Sequence, residues 1–225
     1  MTWNTNSGSG DLPRLVAELE ARRFAGQTPD AYVLLLQESA ERDLRAITEP
    51  RGWTSAFVAV RAGGAHIRGN AIVSSRRLHD PRALPLARER QPRAAVVASI
   101  ELGGRRLFVA SVHLENRASW WKGGLLGDTA RLHQVEGLLR ALPEDDPGIL
   151  GGDFNTWLGP AEPAWRALIS RFDAMPEWPR APTFGDRLAL DHILLDLPEG
   201  WRATRSVLPD DYGSDHHPVM AVVFR

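Results

Sequence analysis

The chain has 225 residues, with 27 Lys and Arg against 28 Asp and Glu, 43% hydrophobic residues and no cysteine. That length supports a substantial core, and the ordinary apolar fraction excludes wholesale disorder. The missing cysteines exclude a disulfide framework, a thiolate metal site and a cysteine nucleophile, and no apolar run reaches the roughly 20 residues of a membrane-spanning helix.

Polar Asn4, Asn6 and Ser7 follow Met1 almost directly, so no secretory signal is expected, and only a short first strand fits before them. Asp11 is placed to cap a helix with Pro13 in its first turn and Leu15, Val16, Leu19 and Phe24 on its apolar face. Ala31 to Leu36 is a continuous apolar run, the pattern of a strand buried on both faces, and Ser39 can cap a short helix running towards Thr48. A strand is expected from Trp53 to Val60. The runs 94–102 and 105–114 flank Gly103-Gly104, a two-residue hairpin signal, so part of the sheet is antiparallel. Asp128 can cap a helix with Leu132, Val135, Leu138, Leu139 and Leu142 inward. A strand at 148–151, a short helix at 163–171 and strands at 188–195 and 218–224 complete the order. Gly123-Gly124, Gly159-Pro160 and Pro176 to Pro182 read as loops. The expectation is one α/β domain over residues 1–225, packed sheets with helices outside.

Charge is uneven along this order. Between Arg61 and Arg131 there are 13 basic residues against five acidic ones, which leaves 14 basic and 23 acidic residues for the remainder. A basic middle with acidic flanks suits an anionic substrate held near a carboxylate-bound cation. The alternative is arginine scattered over a solvated surface.

Polar residues with metal-binding chemistry recur at strand ends. Gln37-Glu38 closes the run Tyr32 to Leu36, His113 closes Phe108 to Val112, and Asp153 and Asn155 follow Ile149 to Gly152. Asp191 and His192 lie within Leu188 to Leu195, Asp215, His216 and His217 precede Pro218 to Val223, and Asn4 and Asn6 follow the first strand. Strand ends on one edge of a sheet commonly converge on a site. Taken singly, Glu38 could complement a helix start, Asp153 and Asn155 could be turn residues, and His113 could be structural. A carboxylate inside an apolar strand, as at Asp191, has to be paired or bound to metal.

Glu38, Asp153, Asp215, Asn4 and Asn155 offer oxygen ligands, which suit Mg²⁺ or Mn²⁺ better than zinc. The sequence contains no HExxH, no GxxxxGK[ST] loop, no dinucleotide fingerprint and no GxSxG elbow.

Trp3-Asn4, Leu36-Gln37-Glu38, Gly69-Asn70-Ala71-Ile72-Val73-Ser74, Val112-His113-Leu114, Gly152-Asp153-Phe154-Asn155, Leu190-Asp191-His192-Ile193 and Ser214-Asp215-His216-His217-Pro218 occur in that order. Together they resemble the endonuclease/exonuclease/phosphatase superfamily, whose fold is that of pancreatic-type deoxyribonucleases, over nearly the whole chain. The resemblance implies a four-layered α/β sandwich, two packed mixed β-sheets flanked by helices, with a site at one sheet edge. It implies Glu38 as principal metal ligand, Asn4 and Asp215 near the same cation, and Asp153 and Asn155 completing the oxygen set. It further implies Asp153 positioning the attacking water, His216 as general base oriented by Asp191, and Asn155 and His113 donating to the phosphoryl oxygens. In-line attack on a phosphate ester needs such a base, cation and donors.

Two features depart from the pattern. Only Met1 and Thr2 precede Trp3, so the first strand is short or the natural chain begins earlier; a removed leader would sit there, which leaves the compartment open. His192 and His217 are additional imidazoles, either supporting the site or exposed.

The segment 115–128 (ENRASWWKGGLLGD) should overhang the site. Its Trp120, Trp121, Leu125 and Leu126 either pack on the rim, stack on bases of a single strand, or dip into lipid. Arg117, Lys122 and Arg131 could hold non-reacting phosphates, Asn70 is expected to contact substrate, and Arg76, Arg77, Arg88, Arg90 and Arg93 would track a backbone if they share that face. The expected activity is Mg²⁺- or Mn²⁺-dependent hydrolysis of phosphodiesters by a monomer with no stable membrane insertion, a nuclease acting on DNA or RNA. The alternatives are a phospholipid or phosphate-monoester hydrolase on the same site and, against the intact polar set, an inactive binding protein.

Overall fold

Alternation of apolar side chains along the strands sets the layer order. The computed structural model describes residues 1–21, 29–61, 67–88, 91–116, 124–172 and 181–225, with the backbone alone at 61 and 124–128. Strand β2 (Val33–Ala40) turns Leu34 and Leu36 towards helices α1 (Leu12–Glu20) and α2 (Glu41–Thr48), and Val33 and Leu35 towards a second sheet. A strand apolar on both faces is the signature of a middle layer.

The first sheet has the order β10-β11-β1-β2-β4-β3, with β1 at Thr2–Asn4, β3 at Thr54–Arg61, β4 at Arg68–Ser74, β10 at Arg202–Val207 and β11 at Val219–Phe224. The second has the order β5-β6-β7-β8-β9, with β5 at His79–Pro85, β6 at Ala94–Leu102, β7 at Arg105–His113, β8 at Gly148–Asp153 and β9 at Asp191–Asp196. Both sheets are mixed: β1 runs parallel to β2, and β7 parallel to β8, among antiparallel neighbours. Between the sheets lie Leu35, Ile72, Val96, Ile100, Leu107 and Val109. On the outer face of the second sheet, α3 (Gly124–Ala141) contributes Val135 and Leu138, and α4 (Pro163–Ile169) contributes Trp165 and Leu168, to a core with Phe108, Leu150 and Phe154. The result is the expected α/β sandwich of two mixed sheets with helices outside.

Local differences from the sequence reading have physical reasons. Asp11 does cap α1, its Oδ1 accepting the Arg14 amide at 3.0 Å. Ser39 caps nothing: it is buried at the end of β2, and α2 starts at Glu41 with first-turn acids and no side-chain cap. Helix α3 begins at Gly124, so part of the expected Gly123-Gly124 loop is helical. Strand β4 was not expected although most of it is buried, whereas β5 and β10 carry weak signals, since β5 holds two prolines at a largely exposed edge and β10 alternates exposed and half-buried residues. Phe24 lies outside the described residues.

The register of the second sheet fixes the chemistry. His113 of β7 stands opposite Asp153 of β8, and Asp153 opposite Asp191 of β9, so three polar side chains form one row across three strands. Glycines make that row reachable. A Cβ on Gly152 would lie 1.9 Å from the Val112 carbonyl oxygen, and one on Gly151 would lie 2.6 Å from Leu35 Cδ1. At Gly152, immediately before Asp153, the clash is with backbone and only hydrogen fits; at Gly151 the Leu35 side chain would have to move.

Gly152→Ala is therefore expected to lower the unfolding free energy by about 1–3 kcal/mol, the usual range for overpacking. Gly137→Ala in α3, where nothing lies within 4 Å of an added Cβ, should raise it by about 0.5–1 kcal/mol. Urea unfolding of both variants checks the contrast.

Candidate active site

The two sheets meet at Asp153. Asn4, at the end of β1, donates from Nδ2 to Asp153 Oδ2 at 3.1 Å, while the Asn155 amide donates to Asp153 Oδ1 at 3.0 Å. His113 Nε2 lies 3.4 Å from Asp153 Oδ2. All four side chains are buried.

Glu38 is aimed by a defect in its strand. The β2–β4 pairing shifts register between Leu36 and Ser39, and Glu38 takes a left-handed φ of 54° inside that bulge. Bulges re-aim side chains, and a non-glycine residue in this region stores strain. The carboxylate accepts the Ser7 hydroxyl at 2.9 Å and has Oε1 3.8 Å from His113 Nδ1. Asn155 is also left-handed, at φ 51°, with its Nδ2 donating to the Leu114 carbonyl.

His216 and Asp191 form the tightest polar pair, with Nδ1 2.7 Å from Asp191 Oδ2. The same imidazole has Nε2 3.9 Å from Asp153 Oδ2 and 3.9 Å from Asp215 Oδ1. Its backbone is pinned by the Ser214 hydroxyl, which accepts the His216 amide, and by the Trp3 indole, which donates to the His216 carbonyl at 2.8 Å. Asp215 stands half-exposed at the mouth.

Electrostatics follow from this crowding. Burial, then the neighbouring Asp191 charge, pushes the Asp153 carboxyl up. Burial alone would strip the proton from His216, but Asp191, then Asp153 and Asp215, outweigh it and push the imidazole up. Burial, the Arg93 charge and His216 hold His113 neutral, well below the ordinary imidazole value. A neutral His113 keeps one N–H to donate.

The donor set suits a hard cation. Ligand atoms of Asp153, Asp191 and His216 all lie within 4.8 Å of one another, and among the described residues the buried Asp191 Oδ1 has no hydrogen-bond partner. A buried carboxylate oxygen without a described partner, beside a second carboxyl pushed up by burial and then by repulsion, leaves charge that a divalent cation on the adjoining Asn4, Asp153 and Asp215 would relieve.

Some expected substrate residues fall elsewhere. Arg131 is fully buried and gives Nε and Nη2 to Glu162 Oε2 at 2.9 and 2.7 Å, so it joins α3 to α4 and faces no substrate. Asn70 is buried and donates to the Ala94 carbonyl across the sheets. Arg76 and Arg77 follow β4 at the end away from Glu38, whereas Arg93 lies near His113, so these arginines do not make one groove. Arg90, Arg117, Trp120, Trp121 and Lys122 lie outside the described residues, as do the side chains of Leu125 and Leu126. The sequence reading passed over Ser7, Trp3 Nε1, Thr183 and Phe184, whose roles depend on long-range contacts.

A model of the Endonuclease/Exonuclease/phosphatase family matches residues 1–216. The chain belongs to this family. Solved structures agree in fold. An endonuclease/exonuclease/phosphatase from Beutenbergia cavernae is 17% identical, with a TM-score of 0.68 over 99% of this chain and 70% of that one. The human Nocturnin catalytic domain, solved with a bound sulfate anion, is 20% identical, with a TM-score of 0.69 over 97% and 89%. Sphingomyelinase C from Streptomyces griseocarneus is 18% identical, with a TM-score of 0.66 over 98% and 97%. No curated protein sequence matches the chain. Family members are metal-dependent phosphoesterases, and this chain is a divalent-metal-dependent phosphoric ester hydrolase.

The two additional histidines separate. His217 is half-buried, with Nδ1 3.1 Å from the Leu208 carbonyl. His192 is buried against Trp165 (4.5 Å between ring centroids) and Phe154 (5.9 Å), and burial pushes it down to about 3 against a bond to the Ala189 backbone. The unfolded chain therefore binds a proton at this residue that the folded chain refuses, and stability falls as pH drops from the ordinary histidine value. By pH 5.5 the loss is on the order of 1 kcal/mol. His192→Asn should lose correspondingly less between pH 7.5 and 5.5 in urea unfolding. An equal loss in both proteins would assign the acid sensitivity to another group.

Proposed function

We propose that this hydrolase cleaves phosphodiester bonds of nucleic acid by in-line attack of water, with Mg²⁺ or Mn²⁺ as its cation. The observation that carries the reading is the 2.7 Å His216–Asp191 pair, set beside the Asp153 carboxylate at the strand ends. Asp191 fixes the imidazole tautomer, leaving Nε2 on the side of Asp153 and Asp215 to take a proton from the attacking water. Asp153 accepts the second water hydrogen and orients the lone pair. Asn155, through its remaining N–H, and neutral His113 donate to the phosphoryl oxygens as charge builds. Glu38, Asn4 and Asp215 would hold the cation, with Asp153 and Asn155 as further oxygen donors. A cation held there would polarise the phosphoryl group and offset the carboxylate charge that keeps a proton on His216.

A polyanionic substrate is supported by the local charge. Arg88 is exposed, Arg93 lies close enough to His113 to depress its basicity, and the segment holding both is tied to Glu115 through the Gln91 amide. Lys and Arg beside a site of phosphate chemistry track a backbone without reading sequence.

His216→Ala should lower kcat by about 10²–10⁴-fold. The fold should persist, because the Ser214 and Trp3 bonds go to the His216 backbone. Chelation should abolish cleavage and added Mg²⁺ or Mn²⁺ restore it, measured on plasmid, single-stranded DNA, RNA, sphingomyelin and a sugar phosphate. Undiminished activity in His216→Ala would remove the base assignment. Cleavage of lipid or monoester alone would move the chain to those substrates, and cleavage of nothing under any metal would make it a binding protein.

A further inference from the structure

The strand that carries Asp191 and the segment that carries His216 belong to different sheets, β9 in one and the approach to β11 in the other. A short turn joins them. Phe184 forms isolated bridges to Leu188 on one side and to His216 on the other. At its root Thr183 is fully buried, and every polar atom it owns is used. Its amide donates to the Leu188 carbonyl at 2.7 Å, and its carbonyl accepts the His217 amide at 2.7 Å. Its hydroxyl oxygen accepts two backbone amides, Leu190 at 2.9 Å and Asp191 at 3.0 Å, with Leu188 O 3.4 Å away for the hydroxyl proton.

We propose that Thr183 is a positioning residue for catalysis: its hydroxyl fixes Asp191, and its carbonyl fixes the His216-His217 backbone. One residue thus sets the span across which the Asp191 carboxylate meets His216 Nδ1. Phe184 completes the clip, its ring centroid 4.7 Å from that of His216, covering one face of the imidazole. Thr183 touches no reacting atom, and it acts through the pair. The inference rests on the reading of His216 as general base.

The geometry selects the hydroxyl over mere bulk. Valine has threonine's shape but leaves the amides of Leu190 and Asp191 without an acceptor, and buried donors do not stay unpaired. The start of β9 would shift to find partners, carrying the Asp191 carboxylate with it. Misplacement of a catalytic group by ångström distances costs up to about 10²-fold in rate.

The test compares Thr183→Val and Thr183→Ser with the unaltered protein and with His216→Ala, using the metal-loaded enzyme on its best substrate and the metal-free protein by proton NMR. Thr183→Val should lose roughly 10–100-fold in kcat with KM little changed. Its low-field resonance of the His216 Nδ1 proton, held by Asp191, should broaden or vanish. Thr183→Ser should keep that resonance and most of kcat. Should Thr183→Val fail to fold, Thr183→Ala provides the same comparison with a smaller side chain. A folded Val or Ala variant with unchanged kcat and an unchanged low-field proton would overturn the proposal, as would a Ser variant as impaired as Val. Full activity in His216→Ala would instead overturn the base assignment beneath it.

Discussion

Burying a carboxylate costs several kcal/mol unless neighbours supply hydrogen bonds or opposite charge, and Asp153 is buried where the two sheets meet. Asn4 reaches it from the first sheet, and Asn155, His113 and His216 approach it from the second and from the segment that returns to the first. The compensation is incomplete, because Asp191 stands opposite in register and repels it. That shortfall is what makes the place chemically useful. A site that fully satisfied its carboxylates would have little affinity left for a cation or a water.

Three sequence devices bring this about, each at a strand end. Gly151 and Gly152 let β8 approach its neighbours closely enough for Asp153 to arrive between the sheets. The bulge in β2 turns Glu38 out of the ladder at the cost of a left-handed backbone. Trp3 and Ser214 hold the His216 backbone and Thr183 holds the His217 amide that follows, so the His216 ring is aimed before any ligand arrives. Groups held on strand ends of a rigid sandwich need little reorganisation as charge develops, the source of electrostatic rate enhancement in the proposed mechanism.

Much of this was legible in the residues. Asp191 in an apolar run, Gly-Asp-Phe-Asn after a glycine-rich strand and Ser-Asp-His before the last strand pointed to the groups that the fold gathers. What could not be read were contacts set by separation along the chain. Arg131 looked like a free cation because its partner Glu162 is 31 residues away at the start of α4. Thr183 drew no notice because one of its partners, the His217 amide, lies far along the chain at the approach to the last strand. Edge strands β5 and β10 escaped because half-solvated segments carry little hydrophobic signal.

In the proposed function the carboxylates around Asp153, together with Glu38, His113 and His216, make one cation-dependent hydrolytic centre. Titration with substoichiometric Mn²⁺, followed by paramagnetic broadening of histidine ring protons in the NMR spectrum, tests this. Selective broadening of His113 and His216, with His79 and His133 unaffected, is the predicted result. Broadening at His79 or His133 in their place, or none at any of the four, would contradict it.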